Sequence, residues 1–395
     1  MIAASMKELL ESTSAGVIRK MFEEGAALKR KYGEDNVFDF SIGNPDLEPP
    51  PEVLSALVAA AADKSHGCHG YMPNAGYLEA RAAMAEKTAA EQGVPVSAEN
   101  VVMSVGAAGA LTTVMKAILN PGDEVVVPCP YFAEYGHYVR NHGGNLVCVR
   151  TKPDFSLDIA AIGGALTERT AAVLINSPNN PTGRIYTRQE VAELAGLLCG
   201  HGRKAGRTPW LVCDEPYRAI TYGGAEVAPV FPAYKNAVVV TSFAKNLSIP
   251  GERIGYLCVN PAAEDGAELA AACILATRIL GFVNAPALFQ KVVARSWNAP
   301  CDYSLYERRC REIREVMDYA GLEYAVPEGA FYLFVKVPDG WNGDDMAFTE
   351  HLKRFNILCA PGSGFGGTGW FRISYCVSER TILNSRDAFY KAVHG

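Results

Sequence analysis

Of the 395 residues, 49% are hydrophobic and 20% are charged, which is the composition of a globular protein. A chain of this length is expected to form two domains. Its 37 basic and 43 acidic residues give a net charge of -6, and no basic block indicates a nucleic-acid or membrane partner. The 11 scattered cysteines lack CxxC spacing, which favours reduced thiols in the cytoplasm over a disulfide framework.

The first 45 residues are predicted to be a helix followed by an extended connector. Apolar side chains recur at helical intervals from Gly16 to Tyr32, and Gly33 follows. Prolines and a glycine then interrupt regular structure in SIGNPDLEPPP, Ser41 to Pro51. Acidic residues near the N-terminus, without a long apolar run, do not resemble a secretory signal. We expect this segment to pack against a small C-terminal domain.

Residues 46–286 are predicted to be the large domain. Helical patterns at Pro51–Ala62 and Tyr77–Gln92 lead into short apolar runs that alternate with further helices. Runs that are apolar throughout indicate strands covered on both faces, so the predicted fold class is α/β, a mostly parallel sheet with helices on both faces. The predicted strands are Val101–Ser104, Glu124–Val127, Leu146–Val149, Ala171–Ile175, Leu211–Cys213, Val238–Ser242 and Ile254–Val259, and the helices between them include Gly109–Leu119, Tyr131–His142 and Arg188–Cys199.

Residues 287–395 are predicted to be a smaller α+β domain. Before it, the apolar segment Leu269–Val283 is interrupted by Arg278 and is shorter than the roughly 20 residues of a membrane span, so we expect a buried helix. The predicted elements of the small domain are helices Ala287–Trp297, Tyr303–Gly321 and Asp345–Phe355 and strands Ala330–Val337 and Trp370–Cys376.

A lysine follows one of the predicted strands, in TSFAKNLSIPGERIG. Burial favours the neutral amine of Lys245, which can attack an aldehyde and form a Schiff base. Ser242 and Arg253 on either side are suited to a phosphate. An aldehyde that carries a phosphate is pyridoxal phosphate, although an isolated lysine is more often simply solvated.

Four other loops supply groups that a pyridoxal ring needs. In VCDEPY, Asp214 can pair with a protonated pyridine nitrogen, and Tyr217 can donate to the phenolic oxygen. In NSPNNPTG, Asn180 is suited to the same oxygen. The remaining candidates are the backbone of Ala107 and Ala108 in SVGAAGAL, for the phosphate, and Tyr131 in PYFAEY, for stacking on the ring.

These motifs, above all NNPTG, DEPY and SFAKNLSIPGERIG, resemble the fold type I pyridoxal phosphate-dependent aminotransferases of classes I and II, the family of aspartate aminotransferase. The resemblance extends from SIGNPD to FRIS. It implies that Lys245 carries the cofactor and shuttles the substrate proton. It also implies that Asp214 holds the pyridine nitrogen, Asn180 and Tyr217 the phenolic oxygen, and Ser242, Arg253, Ala107 and Ala108 the phosphate.

The resemblance adds three positions that the motifs alone do not define. Arg372 in FRIS would bind the substrate α-carboxylate, with the backbone of Gly43 nearby. Tyr71 in YMPNAG would reach the phosphate of a neighbouring subunit, which implies a homodimer with shared active sites. The reaction would move an amino group from an L-amino acid to a 2-oxo acid by a ping-pong mechanism.

The substrate side chain stays open. Aspartate with 2-oxoglutarate is the default pair, an aromatic or aliphatic amino acid is the alternative, and Arg278 is a possible ligand for a second carboxylate. A β-lyase or synthase of the same fold is a further alternative. A non-catalytic regulator would need an additional DNA-binding domain, and the residues before SIGNPD are too few and carry too little basic charge to form one. No metal site is predicted, since HGCHG (His66 to Gly70) lacks further ligands nearby.

Overall fold

The computed structural model describes residues 2–11 and 24–395. In the N-terminal part, helices α1 (Ala4–Glu11) and α2 (residues 24–32) precede the short strand β1 (Phe38–Asp39). The first half of the helix predicted from Gly16 lies outside the described residues. Strand β1 pairs in parallel with β11 (Ile357–Leu358), and Lys353 bonds Glu24 over 2.6 Å. The N-terminal segment therefore contacts the C-terminal part of the chain.

A seven-stranded sheet forms the centre of the large unit. Its strand order is β2-β8-β7-β6-β5-β3-β4, and β8 runs opposite to the other six strands of this sheet. The mostly parallel α/β architecture is confirmed. The strands are β2 (Val101–Ser104), β3 (Glu124–Cys129), β4 (Asn145–Arg150), β5 (Thr170–Asn176), β6 (Trp210–Asp214), β7 (Ala237–Ser242) and β8 (Gly255–Val259).

The apolar runs of the central strands are explained by two hydrophobic cores, one on each face of the sheet. Successive side chains of a strand point to opposite faces. In β5, Val173 and Ile175 belong to one core, whereas Ala172 and Leu174 belong to the other. Both faces are covered by helices, namely α3 (Pro51–Ala61), α4 (Leu78–Gln92), α5 (Gly106–Ile118), α6 (Tyr135–Arg140), α7 (Ile159–Ala165), α8 (Arg188–Ala205), α9 (Phe243–Asn246), α10 (Gly266–Ile279) and α11 (Ala287–Ser296).

The C-terminal unit has a third core, built on an antiparallel four-stranded sheet of order β12-β13-β10-β9. Side chains of Phe38 and Phe40 from the N-terminal connector belong to the same core. The remaining elements are strands β9 (Tyr324–Ala325), β10 (Tyr332–Lys336), β12 (Ala360–Pro361) and β13 (Trp370–Ser374) and helices α12 (Ser304–Ala320), α13 (Asp345–Leu352), α14 (Glu379–Asn384) and α15 (Arg386–His394).

The change of core falls after α11, whereas the domain boundary predicted from the sequence lies before this helix, at residue 287. Phe289, Val292 and Val293 of α11 are buried in the large-unit core. A helical period reveals which face of a helix is apolar but not which core receives that face. The division into residues 1–45, 46–286 and 287–395 thus stays a prediction, and packing favours a C-terminal unit that starts near α12.

Three helices differ from expectation in ways that bear on the site or the surface. Helix α5 starts at Gly106 rather than Gly109, so Ala107 and Ala108 lie in its first turn. Helix α6 covers only Tyr135–Arg140 of the longer helix predicted there. Helix α10 is not buried all round, because Leu275 and Ile279 are more than half exposed. Within the described residues, no helix is long and apolar enough to cross a membrane.

Candidate active site

A cavity of about 360 Å³ opens where β5, β6 and β7 end, and residues of the C-terminal unit line it as well. This is the edge at which parallel α/β sheets place their ligands. The fold brings most of the site residues expected from the sequence to this one cavity. The predicted residues that line it are Gly43, Ala107, Ala108, Asn180, Asp214, Tyr217, Ser242, Lys245, Arg253 and Arg372.

Lys245 follows β7 in the short helix α9 and projects into the cavity. Its Nζ donates a hydrogen bond of 2.6 Å to the carbonyl oxygen of Gly43. Burial disfavours the ammonium form and lowers the pKa of Lys245 to about 8. At pH 7 about a tenth of this lysine is therefore the neutral amine, the form that reacts with an aldehyde, which is far more than an ordinary lysine would provide.

Asp214 is the last residue of β6 and is buried at the cavity wall. Its Oδ2 accepts a 2.6 Å hydrogen bond from Tyr135, whereas its Oδ1 has no partner among the described residues. Burial raises the pKa of Asp214 to about 7. An unpartnered carboxylate oxygen in a buried wall is suited to a cationic ligand atom, such as a protonated ring nitrogen.

The opposite end of the cavity is suited to an anion. Helix α5 starts there, and no described side chain caps its first turn. The guanidinium of Arg253 lies so close to Gly106 that a Cβ atom at this glycine would be 2.7 Å from Nη2. Gly106 also has a φ of 69°, which favours glycine. Together with Ser242, these groups can bind a phosphate at a helix N-terminus.

Arg372 projects from β13 and is held by aromatic rings and by backbone. Its guanidinium carbon lies 4.7 Å from the ring centres of both Tyr332 and Phe365. Nη1 donates to Oδ1 of Asn180 over 3.1 Å, and Nη2 donates to the carbonyl oxygen of Ser41 over 2.7 Å. A guanidinium fixed in this way presents a planar fork of the kind that binds a carboxylate.

Several aromatic residues of the site, Phe365 among them, are not predicted from the sequence. Tyr135 bonds Asp214, Tyr332 places its hydroxyl 2.8 Å from that of Tyr217, and Phe132 lines the cavity. Phe132, rather than Tyr131, is the aromatic side chain of PYFAEY in the cavity wall. Phe132 and Tyr135 both belong to the PYFAEY motif and were open to prediction from it, whereas Tyr332 lies in an apolar run without such a signal.

Two predicted residues, Tyr131 and Tyr71, are not among the residues that line the cavity. The backbone N–H of Tyr131 bonds the carbonyl oxygen of Phe365 over 2.9 Å, and its ring packs toward Gly366. The stacking of Tyr131 on a cofactor stays a prediction, and Phe132 is the side chain of this loop that lines the cavity. Tyr71 is 94% exposed, and Arg278 is also exposed. In residues 2–11 and 24–395, no group of three or more His, Cys, Asp or Glu side chains is suited to a metal ion.

Comparison with known proteins gives consistent matches over nearly the whole chain. A family model described as aminotransferase class I and II matches residues 35–389. The aspartate/prephenate aminotransferase of Thermus thermophilus is 32% identical over 369 residues, 92% of each chain. An amino transferase from Eubacterium rectale has a TM-score of 0.94 at 38% identity, over 99% of this chain and 98% of that one. The aspartate aminotransferase from Thermus thermophilus with maleate has a TM-score of 0.88 at 28% identity, over 99% of both chains.

Proposed function

Because the chain belongs to the class I and II aminotransferase family and is an aminotransferase, we propose that its cavity holds pyridoxal 5'-phosphate on Lys245. The observation that carries this proposal is the unpartnered Oδ1 of Asp214, which lines the same cavity as the lysine. The contact between Gly106 and Arg253 supports it further, because a side chain at that glycine would fill the phosphate end.

Each group of residues has a defined task in this proposal. When bound, the cofactor accepts the amino group of one substrate, delivers it to another and delocalises the electron pair left at Cα. Lys245 removes the proton from Cα and returns it, since a neutral amine near its pKa serves as acid and base. Arg372 binds the α-carboxylate, and the backbone of Gly43 borders the same space.

The remaining contacts hold the cofactor in place. Asp214 pairs with the ring nitrogen, Asn180 and Tyr217 bond the phenolic oxygen, and Phe132 covers one face of the ring. Ser242, Arg253 and the first turn of α5, with Ala107 and Ala108, bind the phosphate. The side-chain amide of Asn180 serves two partners, because its Oδ1 accepts a hydrogen bond from Arg372 while its NH2 group stays available to donate to the phenolic oxygen.

Aspartate and 2-oxoglutarate are the substrates we propose first. The similar protein of Thermus thermophilus is named for aspartate and prephenate, and a related structure contains maleate, a dicarboxylate. An aromatic amino donor is the second candidate. The specific observation that favours it is the ring-rich wall formed by Phe132, Tyr332 and Phe365.

We also propose that the protein is a cytoplasmic homodimer. Tyr71 is almost fully exposed, as expected for a side chain that completes the phosphate site of a second subunit. Apolar side chains of α3 and α10 are exposed as well, among them Val58 and Ile279, which a subunit interface would cover. The 11 cysteines carry free thiols, which supports a reducing compartment.

The experiment that tests the proposal has two steps. Borohydride reduction of the loaded protein followed by peptide mapping should fix the cofactor to Lys245, whereas Lys291→Ala, a control at a lysine paired with Asp63, should leave labelling unchanged. A label on a different lysine would refute the assignment. A panel of amino donors with 2-oxoglutarate or pyruvate should then show amino transfer, and its profile identifies the side chain accepted.

A further inference from the structure

Tyr332 is a buried wall residue of the cavity whose hydroxyl has no task in the function proposed above. It lies on β10 and is 2% exposed. Its hydroxyl oxygen is 2.8 Å from that of Tyr217, and its ring faces the guanidinium of Arg372 at 4.7 Å. One side chain thus contacts both the residue assigned to the phenolic oxygen and the residue assigned to the substrate carboxylate.

The position of this hydroxyl is tightly fixed. A Cβ atom added to Gly43 would overlap the Tyr332 hydroxyl, so the connector packs directly against it. On the other side, the Tyr332 ring meets the Tyr217 ring edge to face, with centres 5.6 Å apart and planes at 82°. Packing from two sides leaves the two hydroxyls facing one another rather than free to rotate away.

Counting protons decides the direction of the bond between the two tyrosines. A phenol carries one hydrogen, so it can donate only one hydrogen bond at a time. If Tyr217 donates to the phenolic oxygen of the cofactor, its oxygen must accept in the 2.8 Å contact. Tyr332 is then the donor, and the two bonds form a chain in which each strengthens the other.

We propose that Tyr332 is a positioning residue that acts through Tyr217 and Arg372. Its hydroxyl donates to Tyr217 and sets how strongly Tyr217 bonds the phenolic oxygen, and its ring holds the Arg372 fork in place. This inference rests on the proposed function, because it needs Tyr217 to face the cofactor. It assigns separate tasks to the hydroxyl and to the ring, so two substitutions can test them independently.

The hydroxyl is tested with the visible absorbance of the loaded protein as a function of pH, a signal that reports protonation at the Lys245 nitrogen. A donor to the phenolic oxygen withdraws electron density and weakens the hold of that oxygen on this proton. Tyr217→Phe should therefore raise the pKa of the Lys245 nitrogen by about 0.7, the value of one net hydrogen bond. Tyr332→Phe should raise it by about 0.2, since it removes only the bond that strengthens the Tyr217 bond by up to about 30%.

A matched control is provided by a second pair of buried tyrosines. Tyr375 donates to the hydroxyl of Tyr222 over 3.1 Å, and neither residue lines the cavity. Tyr375→Phe removes a buried hydroxyl of the same kind and should leave the pKa at Lys245 unchanged. The other titratable groups that act on Lys245 are Arg372, Arg253 and Cys376, which are the same in all three variants.

The ring is tested by Tyr332→Leu, which removes the face that supports Arg372. We expect KM for the amino donor to rise about tenfold in Tyr332→Leu, as for a lost cation–aromatic contact, and to stay near the wild-type value in Tyr332→Phe. Circular dichroism of both variants checks that they fold. If Tyr332→Leu does not fold, the comparison of Tyr332→Phe with Tyr375→Phe alone decides the proposal.

The possible results separate this inference from the function on which it rests. A wild-type protein without a pH-dependent visible band would overturn both. A band that shifts in Tyr217→Phe but not in Tyr332→Phe would overturn the inference and leave the proposed function intact. Equal shifts in Tyr332→Phe and Tyr375→Phe would also overturn it, because any buried hydroxyl would then have the same effect.

Discussion

Replacement of Asp214 by asparagine should remove a large part of the pH dependence of folding stability in the cofactor-free protein. Burial raises the pKa of Asp214 from 3.8 to about 7. Because the native state binds this proton more tightly than the unfolded chain, the contribution to stability is complete below about pH 3.8 and declines as pH rises to about 7. Asparagine has the same shape as the protonated acid but cannot ionise.

The size of the effect follows from the two pKa values. From pH 5 to about pH 7, the carboxyl of Asp214 stays protonated in the native state but is ionised in the unfolded chain. The two states therefore differ in protonation over about two pH units of the interval from pH 5 to pH 8. At about 1.4 kcal/mol for each unit, wild type should lose about 3 kcal/mol more than Asp214→Asn over this interval. Urea unfolding of the cofactor-free proteins at the two pH values measures the difference directly.

An oppositely shifted carboxyl provides the control. Asp123 is bonded by both terminal nitrogens of Arg207, at 2.9 and 2.8 Å, and this pairing holds the pKa of Asp123 below its usual value. Its contribution is present above its unfolded pKa and is lost in acid, so Asp123→Asn should destabilise equally at pH 5 and pH 8. If wild type and Asp214→Asn lost stability in parallel between pH 5 and pH 8, burial would not keep Asp214 protonated, which would contradict its raised pKa.

Three further predictions concern the other ends of the cavity. Arg372→Ala should raise KM for the amino donor about a hundredfold while the visible band persists, since a bidentate charged contact is lost; a lost band would indicate a structural role. Gly106→Ala should weaken cofactor binding at least tenfold by crowding Arg253, whereas Gly206→Ala, at a similar φ of 71° with open space, should not, and binding titrations compare them. As pH increases toward 8, the amine of Lys245 loses its proton, so the rate at which cofactor-free protein captures pyridoxal phosphate should increase about tenfold per pH unit. Above pH 8 the rate should level off. A stopped-flow rate that does not change with pH would contradict the lowered pKa.

Much of the cavity could be predicted because its residues follow apolar strands directly. Asp214 ends β6, and Lys245 comes soon after the end of β7. Parallel strands bring such positions to one edge, so chain order alone indicates that they meet. Arg372, by contrast, lies on a strand of the other unit, and only the resemblance to a known family connected it with the lysine.

The features that could not be predicted depend on contacts between distant segments. The choice between Tyr131 and Phe132 depends on backbone direction over a single residue in a loop, for which a sequence has no periodic signal. Tyr332 meets Tyr217 across 115 positions of the chain. Its strand appears in the sequence only as an apolar run, in which a tyrosine is equally well explained by packing.

Two of the buried polar atoms that lack a partner in the described part of the chain belong to side chains that line this cavity. Oδ1 of Asp214 and Nε of Arg372 are both buried without a partner in the described part of the chain. Each such atom costs about 1 to 3 kcal/mol, a large share of the 5 to 15 kcal/mol by which a typical domain is stable. Because one group accepts and the other donates, a single apolar or uniformly charged ligand could not satisfy both. A ligand set with a cation at one point and a carboxylate at another can, and this is the charge pattern of a protonated pyridine ring with an amino acid beside it.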